Sequence, residues 1–118
     1  MAYHVDRLRE ELHREIGVAI TNEMRDPRIP DIVTITEIKL APDCRNATVF
    51  VSFMDEEVDK KEAIDTLNRG AAFLQHIVSK RIVVKFVPKL YFKLDKSIEQ
   101  SNHIHDLFNA IRDDLDQP

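Results

Sequence analysis

The chain has 118 residues with a formal net charge of −4, and 43% of the residues are apolar and 32% charged. This size and composition are typical of one globular domain, so we predict a single domain over residues 1–118. The lone cysteine, Cys44, excludes an internal disulfide and fits a reducing compartment. No apolar run approaches the roughly 18 residues that cross a bilayer, and the N-terminus lacks a signal-peptide pattern. We therefore expect a cytoplasmic protein with no membrane partner.

The first predicted element is an amphipathic helix. Apolar residues recur at spacings of three and four and form one stripe, comprising Val5, Leu8, Leu12, Ile16, Ala19 and Ile20. Pro27 and Pro30 end the helix, because each proline disfavours helix in the residue before it and supplies no N–H donor.

Two β-strands follow. Residues 32–40 are rich in β-branched side chains, but their alternation is imperfect, which predicts either a bulge near Glu37 or some exposed apolar surface. Residues 47–53 alternate between apolar and polar side chains, and the turn-rich segment 41–46 joins the two strands. The pattern predicts an antiparallel hairpin.

The next predicted helix contains a glycine. An acidic stretch over residues 55–65 leads into it, which suits the positive end of the helix dipole. One apolar period runs from Ile64 to Ile82 through Gly70. Because glycine costs about 1 kcal/mol relative to alanine inside a helix, we predict a bend there.

A third strand and a last helix complete the chain. Leu90, Phe92 and Leu94 alternate with polar residues after Pro88, and a Ser-x-x-Gln capping box begins a C-terminal helix over about residues 97–116. The element order predicts an α+β fold, with helices covering a three-stranded sheet.

Positive charge is concentrated in the second half. Residues 69–96 hold seven Lys or Arg and one acid, Asp95, in a chain whose net charge is −4. Such asymmetry favours a polyanionic partner, although most charge runs are solvated helix faces. We predict RNA phosphate contacts at Arg69, Lys80, Arg81, Lys85 and Lys89, with Arg45 in the hairpin turn and Arg28 after Asp26-Pro27. Phe50 and Tyr91 either stack on a base or pack under a helix, the commoner outcome.

Catalytic and metal sites are not predicted. His103 and His105 lie two apart, so on a helix they point about 200° apart and cannot bind one metal ion together. No phosphate loop, serine-hydrolase motif or zinc-protease motif occurs in the sequence. We expect no enzyme activity, no cofactor and no small-molecule substrate.

Short motifs along most of the chain resemble the bacterial ribosome-binding factor A family. They are Arg25-Asp26-Pro27-Arg28, residues 33–37, 41–47 and 49–52, Leu67-Asn68-Arg69-Gly70-Ala71-Ala72-Phe73-Leu74, residues 87–92 and Leu94-Asp95-Lys96-Ser97. The resemblance implies a type II KH-like fold, in the order helix–strand–strand–helix–kink–helix–strand. It also implies a non-enzymatic factor that binds the 30S subunit and 16S rRNA during late assembly and rRNA processing. We expect the free protein to be a monomer.

The resemblance also assigns a role to the glycine. KH domains usually grip nucleic acid with a Gly-x-x-Gly loop. The family replaces this loop by a helical kink with an Ala-x-Gly pattern. Here the triplet is Gly70-Ala71-Ala72, with glycine first instead of third. Two other functions stay open from the residues alone: a protein–protein or homodimerisation module without RNA binding, and a general single-stranded RNA binder.

Overall fold

A computed structural model describes residues 5–55, 57–84 and 86–97. Its elements are α1 (Val5–Glu23), β1 (Val33–Leu40), β2 (Asn46–Phe53), α2 (Lys60–Arg69), α3 (Ala71–Ser79) and β3 (Lys89–Leu94). The predicted α+β, KH-like order is confirmed. The predicted C-terminal helix lies, apart from Ser97, outside the described residues. Within the part of the chain described, no helix is both long enough and apolar enough to cross a membrane.

Helix α1 buries the predicted stripe. Its buried residues are Leu8, Leu12, Ile16, Ala19 and Ile20, whereas Val5 at the helix start is 43% exposed. The helix ends at Glu23, short of Pro27. The connection to β1 then turns at Asp26, whose carbonyl oxygen accepts from the Ile29 N–H. This turn places Ile29 in the core.

The sheet has the order β1-β2-β3, with β1 antiparallel and β3 parallel to β2. The register between β1 and β2 shifts between Ile35 and Glu37, which confirms the predicted bulge. Because the bulge inserts one residue, Ile35 and Ile38 are both buried although they are three positions apart. The parallel pairing of β3 requires a crossover, which α2 and α3 supply.

The helix between β2 and β3 breaks at Gly70, which confirms the predicted bend. The Gly70 N–H donates to the Thr66 carbonyl as α2 ends, and the Gly70 carbonyl accepts from the Leu74 N–H as α3 begins. Leu67 and Leu74 on either side of the break are fully buried. The apolar face therefore continues across the break and packs on the sheet through both helices.

Candidate nucleic-acid interface

A groove runs between the α2–α3 break and the edge strand β3. We call it the β3 groove; it has a volume of about 450 Å³ and is lined by Asn68, Ala71, Ala72, Gln75, Lys89, Leu90, Tyr91, Phe92 and Lys93. Lys89, Tyr91 and Lys93 are exposed, whereas Leu90 and Phe92 point into the core. Two residues of the predicted kink, Ala71 and Ala72, line the groove, and their small side chains leave it open.

Two amide side chains hold β3 and the segment just before it against the helices. The Asn68 side chain donates to the Phe92 carbonyl at 3.0 Å and accepts from the Phe92 N–H at 2.7 Å. The Gln75 side chain donates to the Val87 carbonyl at 3.0 Å. Sequence reasoning missed both residues. The available signal was that each is an amide residue on a predicted helix that packs beside the third strand, where a side-chain amide can bond to the backbone. These bonds fix the strand that carries the groove's lysines.

A second cleft lies at the other side of the break. We call it the arginine cleft; its volume is about 300 Å³ and its lining is Glu23, Met24, Arg25, Asp26, Arg28, Thr66, Arg69, Gly70 and Phe73. The structure thus brings together the predicted Arg28 and Arg69, which are far apart in the sequence. It adds Arg25, which sequence reasoning did not select as a contact residue.

Arg28 is ion-paired. Its guanidinium lies 2.7 Å from the Asp26 carboxylate, and its backbone N–H donates to the same side chain. The hydrogen bonds from Arg28 lower the pKa of Asp26 from 3.8 to about 2. Arg69 has a neutral partner instead, since its guanidinium donates to the Thr66 hydroxyl at 3.0 Å. Arg69 is therefore positioned without being neutralised by that contact.

The hairpin turn lies beside the start of β3. The Lys89 N–H donates to the Arg45 carbonyl at 2.8 Å, and both side chains are exposed. Within the turn, the backbone of Cys44 itself is left-handed, with φ of 59°. The predicted contacts Arg45 and Lys89 are therefore neighbours at one end of the sheet.

The predicted cations after α3 differ in their surroundings. Lys80 is the exposed C-cap residue of α3. Arg81 lies 3.4 Å from Glu23 and 3.9 Å from Glu15, both on α1. The charge of Arg81 is thus offset by two carboxylates. Lys85 lies outside the described residues.

The two aromatic candidates have different environments. Phe50 is half-buried on the polar side of β2, and the Lys39 ammonium lies 5.4 Å from the centroid of its ring. It does not belong to the hydrophobic core formed by the described residues. Tyr91 is 47% exposed on β3. Among the residues described, no group of three or more His, Cys, Asp or Glu is arranged to hold a metal ion.

Comparisons with known proteins agree on one family. The model of the ribosome-binding factor A family matches residues 4–108. Ribosome-binding factor A of Acetivibrio thermocellus is 36% identical over 105 residues, which cover 89% of this chain and 85% of that protein. Its counterpart in Desulfitobacterium hafniense is 38% identical over 113 residues, covering 95% of this chain and 90% of the relative.

Solved structures share the fold. The crystal structure of ribosome-binding factor A from Thermus thermophilus superposes with a TM-score of 0.66 at 25% identity, covering 78% of this chain and 97% of that one. A Thermotoga maritima protein solved by NMR gives a TM-score of 0.67 at 33% identity, covering 80% of this chain and 89% of its own. With matches over most of both partners in sequence and in structure, this chain belongs to the ribosome-binding factor A family.

Proposed function

We propose that the protein binds the small ribosomal subunit late in its assembly and contacts 16S rRNA through the β3 groove, with no catalytic step. The family is named for ribosome binding. The Thermus thermophilus member has been fitted, as a homology model, into a cryo-EM map of its complex with the 30S subunit. A protein that acts on assembling subunits works in the cytoplasm.

The β3 groove is the observation that carries the proposal. Lys89 and Lys93 are exposed on the strand that forms one wall, and Tyr91 lies between them. Lysines of this kind bind phosphates and give salt-dependent affinity, and an exposed tyrosine ring can stack on an unpaired base. The opposite wall is Ala71 and Ala72, so a nucleic-acid backbone can approach the helix break closely.

The work of such a factor is a difference in affinity. A protein that binds the unfinished subunit more tightly than the finished one stabilises the unfinished conformation. It dissociates when the subunit changes to the finished conformation. This mode of action requires no cofactor and no small-molecule substrate. It requires a rigid binding surface, and the bonds from Asn68 and Gln75 to the β3 side of the groove provide one.

Sedimentation with small subunits tests the proposal. The variant Lys89→Glu/Lys93→Glu reverses two charges in the β3 groove, and we expect it to lose comigration with subunits isolated from a strain lacking the protein. The control Arg9→Glu/Lys61→Glu makes the same charge change at the starts of α1 and α2, outside the groove lining. It should still comigrate.

Three results would contradict the proposal. If both variants comigrated with subunits as the wild type does, the β3 groove would not be part of the interface. A stable dimer that never comigrates with subunits would favour the homodimerisation module. Equally tight binding to unrelated short RNAs would favour a general single-stranded RNA binder.

A further inference from the structure

We infer that the arginine cleft is a second RNA site, which holds a backbone phosphate of single-stranded rRNA between Arg25 and Arg69 while Phe73 stacks on the adjoining base. This inference rests on the proposed function, because it names a second contact with the same RNA. It differs from that proposal in its location, since the cleft shares none of its lining residues with the β3 groove.

The cleft gathers positive charge from two parts of the chain. Arg25 and Arg28 come from the connection after α1, and Arg69 is the last residue of α2. All three are exposed. A volume of about 300 Å³ lies at the lower end of the range for ligand pockets, so it suits one nucleotide unit better than a duplex.

The two carboxylates of the cleft are already engaged by arginines. Asp26 is bound by Arg28 at 2.7 Å, and Glu23 lies 3.4 Å from Arg81, which is outside the cleft lining. An incoming phosphate therefore meets acids whose charge is partly offset. Arg69 and Arg25 are the cations that remain to attract it.

Arg69 is pre-positioned for an anion. Its guanidinium donates to the Thr66 hydroxyl, and that hydroxyl donates in turn to the Glu62 carbonyl at 2.7 Å. This chain of bonds orients one N–H of the guanidinium while other N–H groups stay available, since arginine carries five. A guanidinium fixed in this way loses less conformational entropy on binding a phosphate than a mobile one.

Phe73 supplies an aromatic ring on the rim. It lies in the first turn of α3, is 51% exposed, and lines the same cleft as Arg69. Stacking of a base on such a ring is tolerant of sequence, because every base presents a π-face. A cation pair beside an exposed ring is the combination that single-stranded RNA sites use.

The binding of small subunits at several KCl concentrations tests the inference. We expect Arg25→Gln and Arg69→Gln each to weaken binding about tenfold at low salt. Each should also make the plot of log affinity against log salt shallower, and the double variant should make it shallower by about 0.7, the value for one phosphate contact with a single strand. Phe73→Leu should weaken binding about tenfold without changing that slope, because it removes stacking and no charge.

Arg9→Gln is the matched control. It removes one positive charge at the start of α1, away from the cleft lining, and should leave affinity and slope within about twofold of the wild type. Circular dichroism and thermal unfolding of every variant establish that it is folded.

Asp26→Asn separates binding from a structural role. Asparagine can still accept from the Arg28 N–H, so the turn is kept, but the negative charge is lost and Arg28 is released. We expect this variant to unfold more easily and yet to bind small subunits two- to fivefold more tightly. A purely structural role of the cleft would lower both properties.

The outcomes separate the two proposals. Wild-type protein that fails to bind small subunits would overturn the proposed function and this inference with it. Wild-type binding that Arg25→Gln and Arg69→Gln leave unchanged would overturn the cleft alone. Weakened binding with an unchanged salt slope in both arginine variants would assign the cleft to a ribosomal protein and overturn RNA as its ligand.

Discussion

The side-chain amide of Asn68 pairs with the backbone of Phe92, accepting from its N–H at 2.7 Å and donating to its carbonyl at 3.0 Å. Phe92 lies on β3, the edge strand next to β2. Edge strands expose backbone groups that can pair with another chain. The Asn68 side chain bonds to both backbone groups of Phe92, so these groups cannot pair with another chain. The same two bonds attach α2 to the sheet.

We predict that Asn68→Ala lowers the free energy of unfolding by about 1–3 kcal/mol, because it leaves two backbone groups of Phe92 without their partner. Asn68→Asp should not restore stability, since a carboxylate accepts from the N–H but repels the carbonyl. Urea denaturation followed by circular dichroism measures both variants. Wild-type stability in Asn68→Ala would mean that water replaces the amide at no cost.

Gly70 and Met24 are in close contact, and this decides the effect of a substitution at the break. A Cβ at position 70 would collide with the Met24 methyl group, although the backbone there, with φ of −91°, suits any residue. We predict that Gly70→Ala is more favourable in a Met24→Ala background than in the wild type, by about 0.5–1 kcal/mol. Thermal unfolding of the two single variants and the double variant measures this coupling. Additive effects would show that Met24 rotates away freely.

Asp95 makes stability depend on pH in the acid range. Hydrogen bonds from Ser97 and Thr36 lower the pKa of Asp95 below 3.8 in the folded protein. The carboxylate therefore stabilises the fold fully above pH 3.8, and this contribution is lost as the pH falls through the folded-state pKa. We predict that Asp95→Asn lowers the free energy of unfolding at pH 7. The difference in this free energy between the variant and the wild type should become smaller towards pH 2.

Thr36→Val is the control for this pH effect. The Thr36 hydroxyl donates to Asp95, and valine has a similar shape without the donor. The variant should reduce the pH dependence in part, because the bonds from Ser97 remain. Urea midpoints measured from pH 7 to pH 2 compare all three proteins. A constant gap between wild type and Asp95→Asn would contradict the assignment.

Lys80 and Arg81 are adjacent cations for which we predict different effects. Lys80 is exposed at the end of α3, whereas Arg81 is held by Glu15 and Glu23. We expect Lys80→Ala to weaken binding to small subunits with no loss of stability. Arg81→Ala should affect binding less and lower stability by up to about 1 kcal/mol, the upper end for surface ion pairs. Gradient binding and urea denaturation measure the two effects, and the reverse order in binding would assign Arg81 to the interface.

Much of the fold could be predicted from local patterns. The stripe from Leu8 to Ile20 requires a helix packed on one side, and the irregular alternation around Glu37 indicated the bulge that the register confirms. The break at Gly70 followed from the cost of glycine in a helix. Each of these depends on interactions between residues close in sequence, so the sequence carries them directly.

The candidate site was predicted only in part. Sequence reasoning selected Arg28 and Arg69 as separate residues, and their roles as phosphate contacts stay predictions. It could not show that they share a cleft with Arg25 and Phe73. Nor could it show that Arg81 meets two carboxylates of α1 or that Asn68 binds an edge strand. Side-chain type alone does not reveal a partner that lies far along the chain.

The amino-acid sequence by itself determined helices α1 to α3, the hairpin, the position of the break and the charge asymmetry, because periodicity, turn residues and composition act over a few neighbouring residues. Only the tertiary structure decided which cations face carboxylates and which face open grooves. That outcome depends on the parallel pairing of β3 with β2 and on Met24 packing at Gly70, which bring together segments remote in the chain. Electrostatic attraction falls with distance, so these packing contacts decide how strongly each cation interacts with a carboxylate or with a phosphate.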